Sequence, residues 1–293
     1  MKPYDDYPVI DITGLSIDKV SRALPIVQLP NGNKAIFKSK YEYIFHFNEA
    51  VFSRLAKLVD VKATENDLAT QLTHNPVPNW IIPGVLSAYD KQLDPKKSKL
   101  ATFDCFLCNF DRFPSRIQTV DLDGLFTKIE TNIATRGLTL APDFKERFIE
   151  NYLFSVLMSN SDHKHYRNLF FEKDDATDDI SVTPYFDMER STFTMDNLDL
   201  YLDKELDGVE EIRPIEAEIF EGYKSNIKTL RTVHKEVHDK FIDNCNKVDV
   251  KKLCDFNKQH LYKYARTSEK NVQKYSETLG IKLEKQIEKM KEF

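Results

Sequence analysis

The sequence predicts an α+β fold of two lobes, the first rich in strands and the second mainly helical. Short β-prone runs separated by turn residues fill much of the first half, whereas apolar residues recur at helical spacing in the second. The chain has 293 residues, enough for two modest lobes, and its 41% hydrophobic content is ordinary for a globular protein. We place the two lobes at residues 1–112 and 113–293.

The N-terminal lobe begins with a predicted hairpin and a helix. The run ALPIVQLPNGNKAIFKSK holds two β-prone segments around the Asn-Gly-Asn sequence at 31–33, a turn that suits positive φ. The next segment, FNEAVFSRLAKLVDV, places four apolar residues on one helical stripe: Phe47, Val51, Leu55 and Leu58. Two later apolar runs, WIIPGVLSAY and LATFDCFLCNF, each predict a sheet strand.

The C-terminal lobe is predicted to contain a buried helix, a short hairpin and further helices. Residues 142–159, PDFKERFIENYLFSVLMS, have apolar side chains at i, i+4 spacing after an N-terminal proline. A polar loop follows, and then two strand-like runs, LFF and ISVTPYFDM, flank the acidic turn KDDATDD. The pattern is helical beyond Pro214, with two amphipathic helices expected between Val250 and Phe293.

Composition and charge exclude several classes of protein. A net charge of −5 disfavours direct nucleic-acid binding, which requires a basic face. The chain has no window of eighteen uninterrupted apolar residues, and MKPYDDYPVI lacks the basic and apolar regions of a secretory leader. We therefore expect no transmembrane segment and a cytoplasmic location, although a bacterial effector translocated into another cell would have the same composition.

Cysteine and histidine pairs do not predict a metal or redox site. Four cysteines are too few for a disulfide framework, and the C-x-x-C of Cys105 and Cys108 lies in an apolar strand-like run. His163 and His165 form an H-x-H beside acidic residues, but a zinc site needs three or four convergent ligands and no cysteine is near.

The chemistry is concentrated in SNSDHKHYRNLFF and ISVTPYFDMERS, which supply Asp162, Asn168 and Asp187 around the predicted hairpin. Phosphoryl transfer uses such a set, in which one carboxylate orients the acceptor hydroxyl and takes its proton. An Asn and a second carboxylate hold the metal ion that neutralises the phosphates. Mg²⁺ takes one or two protein carboxylates and completes its octahedron with water and phosphate oxygens.

A kinase also needs a cation on the phosphates, held by an acid on a neighbouring helix. Lys38 and Glu49 are predicted to form this pair. Lys38 ends the strand KAIFK on the face of Ile36, and Glu49 lies early in the next helix. A surface lysine and a solvated helix acid are the alternative interpretation, and Lys34 and Lys40 are rival candidates for the phosphate-binding lysine.

Four blocks in the correct order resemble the HipA-like kinases, which have the bilobal fold of protein kinases and phosphoinositide kinases. KAIFK and NEAVFSRLAKLV are similar to that family's nucleotide lysine and its N-E-x-x-x-x-R-L-A helix, and CFLCNFDRF is similar to its hinge strand. SNSDHKHYRNLFF resembles the D-x-H-x-x-N catalytic loop, and VTPYFDMERS resembles the metal-binding strand. The blocks cover residues 34 to about 192.

The resemblance implies ATP and Mg²⁺ as cofactors and assigns a role to each candidate residue. Asp162 would be the catalytic acid/base and His165 would brace its loop. Asn168 and Asp187 would be the magnesium ligands, Lys38 would bind the nucleotide phosphates, and Glu49 would be the partner of Lys38. Backbone groups of the hinge would meet the adenine at Leu107, Cys108, Asn109 and Phe110.

Two features depart from the family pattern. Asp162 and Asn168 are six positions apart where the family has five, so one extra residue must bulge in the loop. The expected phosphate-covering loop, GLSIDKVSRALP, has Gly14 as its one glycine, which limits close approach of backbone amides to phosphate.

These observations predict a Ser/Thr protein kinase that acts on an unidentified protein substrate. A variant of this prediction is that the kinase also phosphorylates itself. The alternatives are a small-molecule or phosphoinositide kinase, and a pseudokinase that binds nucleotide and works as a scaffold. The lysine-rich C-terminal helices, with eleven Lys or Arg against six Asp or Glu in residues 251–293, are a candidate docking surface for a partner.

Overall fold

The computed structural model describes the chain over most of both predicted lobes. The described residues are 9–19, 25–39, 43–73, 80–88, 100–102, 122–158, 170–174, 176–186, 188, 228–256, 258, 263 and 269–292. The predicted lobe boundary at residues 112 and 113 lies outside them.

A six-stranded sheet forms the N-terminal part of the described structure. Its strands are β1 (Ile10–Asp11), β2 (Ile17–Lys19), β3 (Pro25–Gln28), β4 (Lys34–Lys38), β5 (Glu65–Thr73) and β6 (Trp80–Ala88). They run in the order β1-β5-β6-β4-β3-β2, with β1 parallel to β5 and the other neighbours antiparallel.

The predicted hairpin at 31–33 is confirmed by the pairing of β3 with β4. Gly32 has φ +85°, the left-handed conformation that a glycine adopts without a steric penalty. The β5 strand, ENDLATQLT, was not singled out from sequence because its polar residues hide the alternation. Its nine-residue pairing with β6 decides its conformation.

The two faces of this sheet have different partners. Ala35 and Phe37 of β4 enter a small core with Val27, Ala69 and Leu86. The opposite face is covered by helix α1 (Tyr43–Leu58), which packs against β5 and β6. In the described part of the chain, helix α1 therefore lies between the six-stranded sheet and the helical core.

The C-terminal part contains a second sheet and two of the larger helices. A four-stranded sheet has the order β7-β9-β10-β8, formed by β7 (Leu100–Thr102), β8 (Thr139–Leu140), β9 (Phe170–Lys173) and β10 (Asp179–Val182). Helix α2 (Leu122–Thr135) precedes β8, and helix α3 (Phe144–Met158) follows it. The β9–β10 pair is the hairpin that the sequence predicted, with its acidic turn between the strands.

The remaining described helices are α4 (Lys235–Asn246), α5 (Val250–Cys254) and α6 (Glu269–Glu292), after a helical stretch at 228–233. Helix α3 is buried from residue 148 to residue 158, so it is the central helix of this half. It contacts α4, α6 and β10, and its buried residues belong to one continuous core that also contains Phe47 and Leu55 of α1.

The α+β class and the division into a strand-rich and a helical part are confirmed. Within the described ranges, every helix is too short or too polar to span a membrane.

Phe148 is expected to be one of the largest single contributors to stability in the helical part. Its ring is 2% exposed and lies 5.4 Å from the ring of Phe126, centroid to centroid. Phe148→Ala leaves a cavity in this core, so we expect a loss of about 3–5 kcal/mol in the free energy of unfolding, measured by urea denaturation.

Lys128→Ala, an exposed substitution on α2, is the control and should change the free energy of unfolding by less than about 0.5 kcal/mol. Equal stabilities of the two variants would show that α3 is not packed as described.

Candidate active site

Lys38 and Glu49 form an ion pair between the sheet and helix α1. The Lys38 Nζ atom lies 2.6 Å from Glu49 Oε1. The Glu49 side chain is fully buried, and the Lys38 side chain is 16% exposed. The lysine therefore keeps a path to solvent while its carboxylate partner has none.

The alternation of β4 explains why Lys38 makes this contact. Lys34, Ile36 and Lys38 point to the α1 side of the sheet, and Ala35 and Phe37 point to the small core. Lys34 is exposed at the other end of the same strand. The geometry thus favours Lys38 over Lys34 as the helix-paired lysine, and Lys40 lies outside the described residues.

The interface between α1 and the sheet is strongly desolvated. Three polar or charged residues of α1 (Asn48, Glu49 and Arg54) and Asn66 of β5 are all buried. In such surroundings a lone carboxylate is costly, so a fully buried Glu49 requires a cation close by. The ion pair is a local electrostatic requirement as well as a candidate functional group.

Helix α1 is also connected to the segment that leads to Asp187. Ser53 Oγ on α1 donates to the Thr64 carbonyl oxygen at 2.8 Å. Thr64 N in turn donates to the Tyr185 carbonyl oxygen, and Tyr185 N donates to the Lys62 carbonyl oxygen, both at 2.8 Å. The chain two residues before Asp187 is thus hydrogen-bonded to the segment that follows α1.

Helix α3 holds the same segment from the other side. Asn151 Nδ2 donates to the Thr183 carbonyl oxygen at 3.3 Å, and the hydroxyls of Ser155 and Tyr185 are hydrogen-bonded at 3.0 Å. The Tyr185 ring also packs edge-on against Phe154 at 5.1 Å. Residues 183–185 are therefore fixed between the two helices.

The pairing of β7, β9 and β10 places three strands side by side: β7 leads toward the predicted hinge, β9 follows Asn168, and β10 leads toward Asp187. Phe171 is paired with Val182 in the hairpin, and Thr102 of β7 is paired with Phe170. The strand that leads toward the predicted hinge therefore lies beside the strand that begins two residues after Asn168.

The other predicted site residues lie outside the described residues. They are Asp162, His165, Asn168, Asp187, Leu107, Cys108, Asn109 and Phe110. The tip of the expected phosphate loop, residues 20–24, also lies outside, whereas Gly14 is described and has φ +79°. Among the described side chains, there is no cluster of three His, Cys, Asp or Glu that could hold a metal ion.

The two cysteines within the described residues are not reactive thiols. Cys245 and Cys254 are free and buried, and burial raises the pKa of each thiol to about 12. Both thiols therefore stay protonated and act as small apolar side chains.

Sequence reasoning missed two groups of residues around the ion pair. Gly84 of β6 lies directly against the carbonyl of Lys38 and the ring of Phe37, and a glycine inside a strand is the signal that indicates such close approach. Asn48, next to Glu49, accepts a hydrogen bond from the hydroxyl of Tyr275, which lies 227 positions away in the chain. No local pattern predicts that second contact.

Comparisons with known proteins give structural matches alone. No protein-family model matches the chain, and no curated protein sequence matches it. A Helicobacter pylori proinflammatory kinase, CtkA, matches with a TM-score of 0.52 and 12% identity, over 96% of this chain and 95% of that chain.

Two further solved structures align over 97% of this chain with lower scores. The Shewanella oneidensis HipA, in a complex with HipB and operator DNA, has a TM-score of 0.39 and 16% identity, over 67% of its own length. A Golgi casein kinase has a TM-score of 0.46 and 11% identity, over 74% of its own length.

The match to CtkA shows that this chain has a protein-kinase-like fold. The fold predicted from the four sequence blocks is confirmed by this likeness.

Gly84 is expected to be required for the position of β4. A Cβ atom at residue 84 would come closer to the Lys38 carbonyl oxygen and the Phe37 ring than real Cβ atoms do. Because one neighbour is backbone, Gly84→Ala must displace β4, and we expect a loss of about 1–3 kcal/mol in the free energy of unfolding.

Gly280→Ala is the matched control. A Cβ at this position on α6 would lie 3.8 Å from Cys254 Sγ and Val250 Cγ1, which is ordinary contact. Alanine is a better helix former than glycine, so this variant should be more stable by up to about 1 kcal/mol. Thermal and urea denaturation of both variants test the contrast, and an unchanged stability of Gly84→Ala would contradict the close packing.

Proposed function

We propose that this protein is an ATP- and Mg²⁺-dependent kinase of the HipA-like group that phosphorylates Ser or Thr of a protein substrate. The buried pairing of Lys38 with Glu49, in a chain with a protein-kinase-like fold, is the observation that carries the proposal. A lysine fixed by a helix acid and open to solvent on one side is the cation that a kinase directs at ATP phosphates.

The arrangement of the described segments supports the same proposal. The residues before Asp187 are hydrogen-bonded to the segment after α1, the helix that carries Glu49. The β9–β10 hairpin connects a strand that begins just after Asn168 to a strand that leads to Asp187. A kinase needs these two side chains to share a magnesium ion near the phosphate-binding lysine.

Each candidate residue has one role in the proposed reaction. Asp162 takes the proton of the acceptor hydroxyl, while His165 braces its loop. Asn168 and Asp187 bind Mg²⁺, and the hinge backbone at 107–110 contacts the adenine. Lys38 stabilises the charge that the phosphates carry, in a desolvated position where a fixed cation is effective.

The acceptor hydroxyl distinguishes a protein kinase from the other kinase classes. Phosphoinositide and small-molecule kinases use the same lysine, Asp and Asn. Incubation with radiolabelled ATP, followed by separation of protein from lipid and small-molecule extracts, identifies the acceptor. Label in protein Ser or Thr supports the proposal, and label confined to the lipid fraction supports a phosphoinositide kinase.

A nucleotide-binding pseudokinase is the second candidate function. The six-residue separation of Asp162 and Asn168 and the glycine-poor phosphate loop favour it, because a misplacement of about 1 Å can cost roughly a hundredfold in rate. The presence of the complete set in the sequence favours catalysis over this alternative: Lys38, Glu49, Asp162, Asn168 and Asp187.

A partner that docks on the C-terminal helices is a further proposal from the charge pattern. The apolar stripe of α6, including Val272, Leu279 and Leu283, is buried in the core of the protein. A docking partner would therefore contact the polar, lysine-rich face.

Lys38→Met is expected to reduce ATP turnover by on the order of a hundredfold or more, because it removes a charge that stabilises the transferred phosphate. Lys34→Met changes an exposed lysine on the same strand and the same face, so its turnover should stay within about twofold of the wild type. Turnover is measured with saturating Mg²⁺ over a range of ATP concentrations. The opposite ranking of the two variants would mean that Lys34 is the phosphate-binding lysine.

Asp187→Ala and Asp162→Ala are expected to separate nucleotide binding from transfer. Asp187→Ala should abolish the Mg²⁺-dependent part of ATP binding, whereas Asp162→Ala should bind ATP normally and lose transfer. Thermal shifts with ATP, with and without Mg²⁺, measure binding, and radiolabel transfer measures activity. Asp243→Ala, an exposed carboxylate on α4, is the control.

Equal ATP affinity of the wild type in the presence and absence of Mg²⁺ would count against the metal assignment. Mg²⁺-dependent binding without any transfer by the wild type would indicate the pseudokinase.

A further inference from the structure

Helix α1 is enclosed on two sides, and the second side is formed by the C-terminal helices. Toward the sheet it presents Glu49 to Lys38. On the other side the Phe47 ring stacks on Phe256 at 6.1 Å and meets the Tyr275 ring edge-on at 6.3 Å. The position of α1 is therefore determined by the C-terminal part of the chain as well as by the sheet.

A charged contact extends this second interface along the helix. The Arg54 guanidinium carbon lies 3.3 Å from the centroid of the Phe256 ring, within the range of a cation–π interaction. Arg54 follows Phe47 by seven residues, about two turns of α1, so the Phe256 ring contacts the helix at two points.

The most specific contact between α6 and α1 is a buried hydrogen bond. The Tyr275 hydroxyl donates to Asn48 Oδ1, and both side chains are almost completely buried. Burial also raises the pKa of the Tyr275 hydroxyl, so the group keeps the proton that it donates. A buried hydrogen bond resists displacement because separation leaves a desolvated polar atom without a partner.

Tyr275 is itself held in a rigid part of the molecule. Its neighbour Ser276 donates from Oγ to the Cys254 carbonyl oxygen at 2.5 Å, and Gln286 Nε2 donates to the Val156 carbonyl oxygen at 3.0 Å. These bonds fix α6 to α5 and α3. A rotation of α1 that moved Glu49 away from Lys38 would also pull Asn48 away from an immobile donor.

We propose that Tyr275 is a positioning residue for the Lys38–Glu49 pair, acting through its hydrogen bond to Asn48. The C-terminal helix α6 thereby fixes the turn of α1 that carries Glu49. The consequence for catalysis rests on the proposed kinase function, whereas the consequence for the ion pair does not.

The test measures the ion pair directly by acetylation of Lys38 in the full-length protein. Acetylation requires a free amine, so a lysine held by a carboxylate reacts slowly. We expect Tyr275→Phe to increase the Lys38 acetylation rate about fivefold, the factor expected for the loss of one net hydrogen bond. The rate is measured at fixed pH by mass spectrometry of the peptide that contains Lys38.

Ser276→Ala is the matched control, because it removes a buried hydrogen bond from the next residue of α6, and the acceptor of that bond, the Cys254 carbonyl oxygen, lies on α5. Its melting temperature should fall, while its Lys38 acetylation rate should stay within about twofold of the wild type. If Tyr275 only stabilises the fold, Tyr275→Phe should also melt at a lower temperature and keep a Lys38 acetylation rate within about twofold of the wild type. That result would overturn the proposal.

A double-mutant cycle tests whether Tyr275 acts through Glu49. Glu49→Gln should increase the acetylation of Lys38 at least as much as Tyr275→Phe does. The double variant should then react no faster than Glu49→Gln alone, because residues in one network are not additive. Fully additive effects would contradict the proposal.

Asn48→Ala removes the acceptor instead of the donor and gives a second route to the same result. It must reproduce both the faster acetylation and the lack of additivity with Glu49→Gln. If Tyr275→Phe melts below the assay temperature, Asn48→Ala decides the question. A Lys38 acetylation rate in Asn48→Ala equal to that of the wild type would overturn the proposal.

The same variants keep this inference separate from the proposed function. If the protein is a kinase, Tyr275→Phe should lower kcat about fivefold with Glu49 present and have no further effect in Glu49→Gln. Altered acetylation in a protein without ATP turnover would remove the kinase proposal and leave the positioning role in place.

Discussion

The burial of Glu49 is the constraint on which the arrangement of the candidate site depends. A carboxylate with no exposure to water needs a cation, and the Lys38 Nζ atom lies 2.6 Å from Glu49 Oε1. This requirement fixes the side of β4 that faces α1 and the rotation of α1 about its axis. The packing of the sheet, the close approach at Gly84 and the contacts of α1 all serve to keep these two side chains together.

Within the described residues, helix α1 contacts both the six-stranded sheet and the helical core. It contacts β5 and β6 through one side and the C-terminal helices through the other, and its apolar residues belong to the core that contains α3. The segment that follows it is hydrogen-bonded to Tyr185. In a kinase, the helix acid and the metal-binding strand must be in place together. Under the proposed roles, Glu49 lies on α1 and the segment before Asp187 is hydrogen-bonded to the residues that follow α1.

The sequence predicted local features well where a short pattern determines the structure. The Asn-Gly-Asn turn, the alternation of KAIFK and the apolar spacing of residues 144–158 each predicted an element that the structure contains. The β5 strand was missed because its residues alternate weakly, and its partner β6 supplies the hydrogen bonds that make it a strand. The roles of Asp162, Asn168 and Asp187 stay predictions, since these residues lie outside the described structure.

The sequence alone determined the types of residue that can do the chemistry and the fold class that carries them, because periodicity and motif spacing are local properties. Only the tertiary structure decided which lysine meets Glu49, since Lys34 and Lys38 share a strand face and differ in their distance from α1. Only the tertiary structure brought Tyr275 to Asn48 across 227 positions. Contacts between distant parts of a chain depend on how whole elements pack, and this packing leaves no mark in the neighbouring sequence.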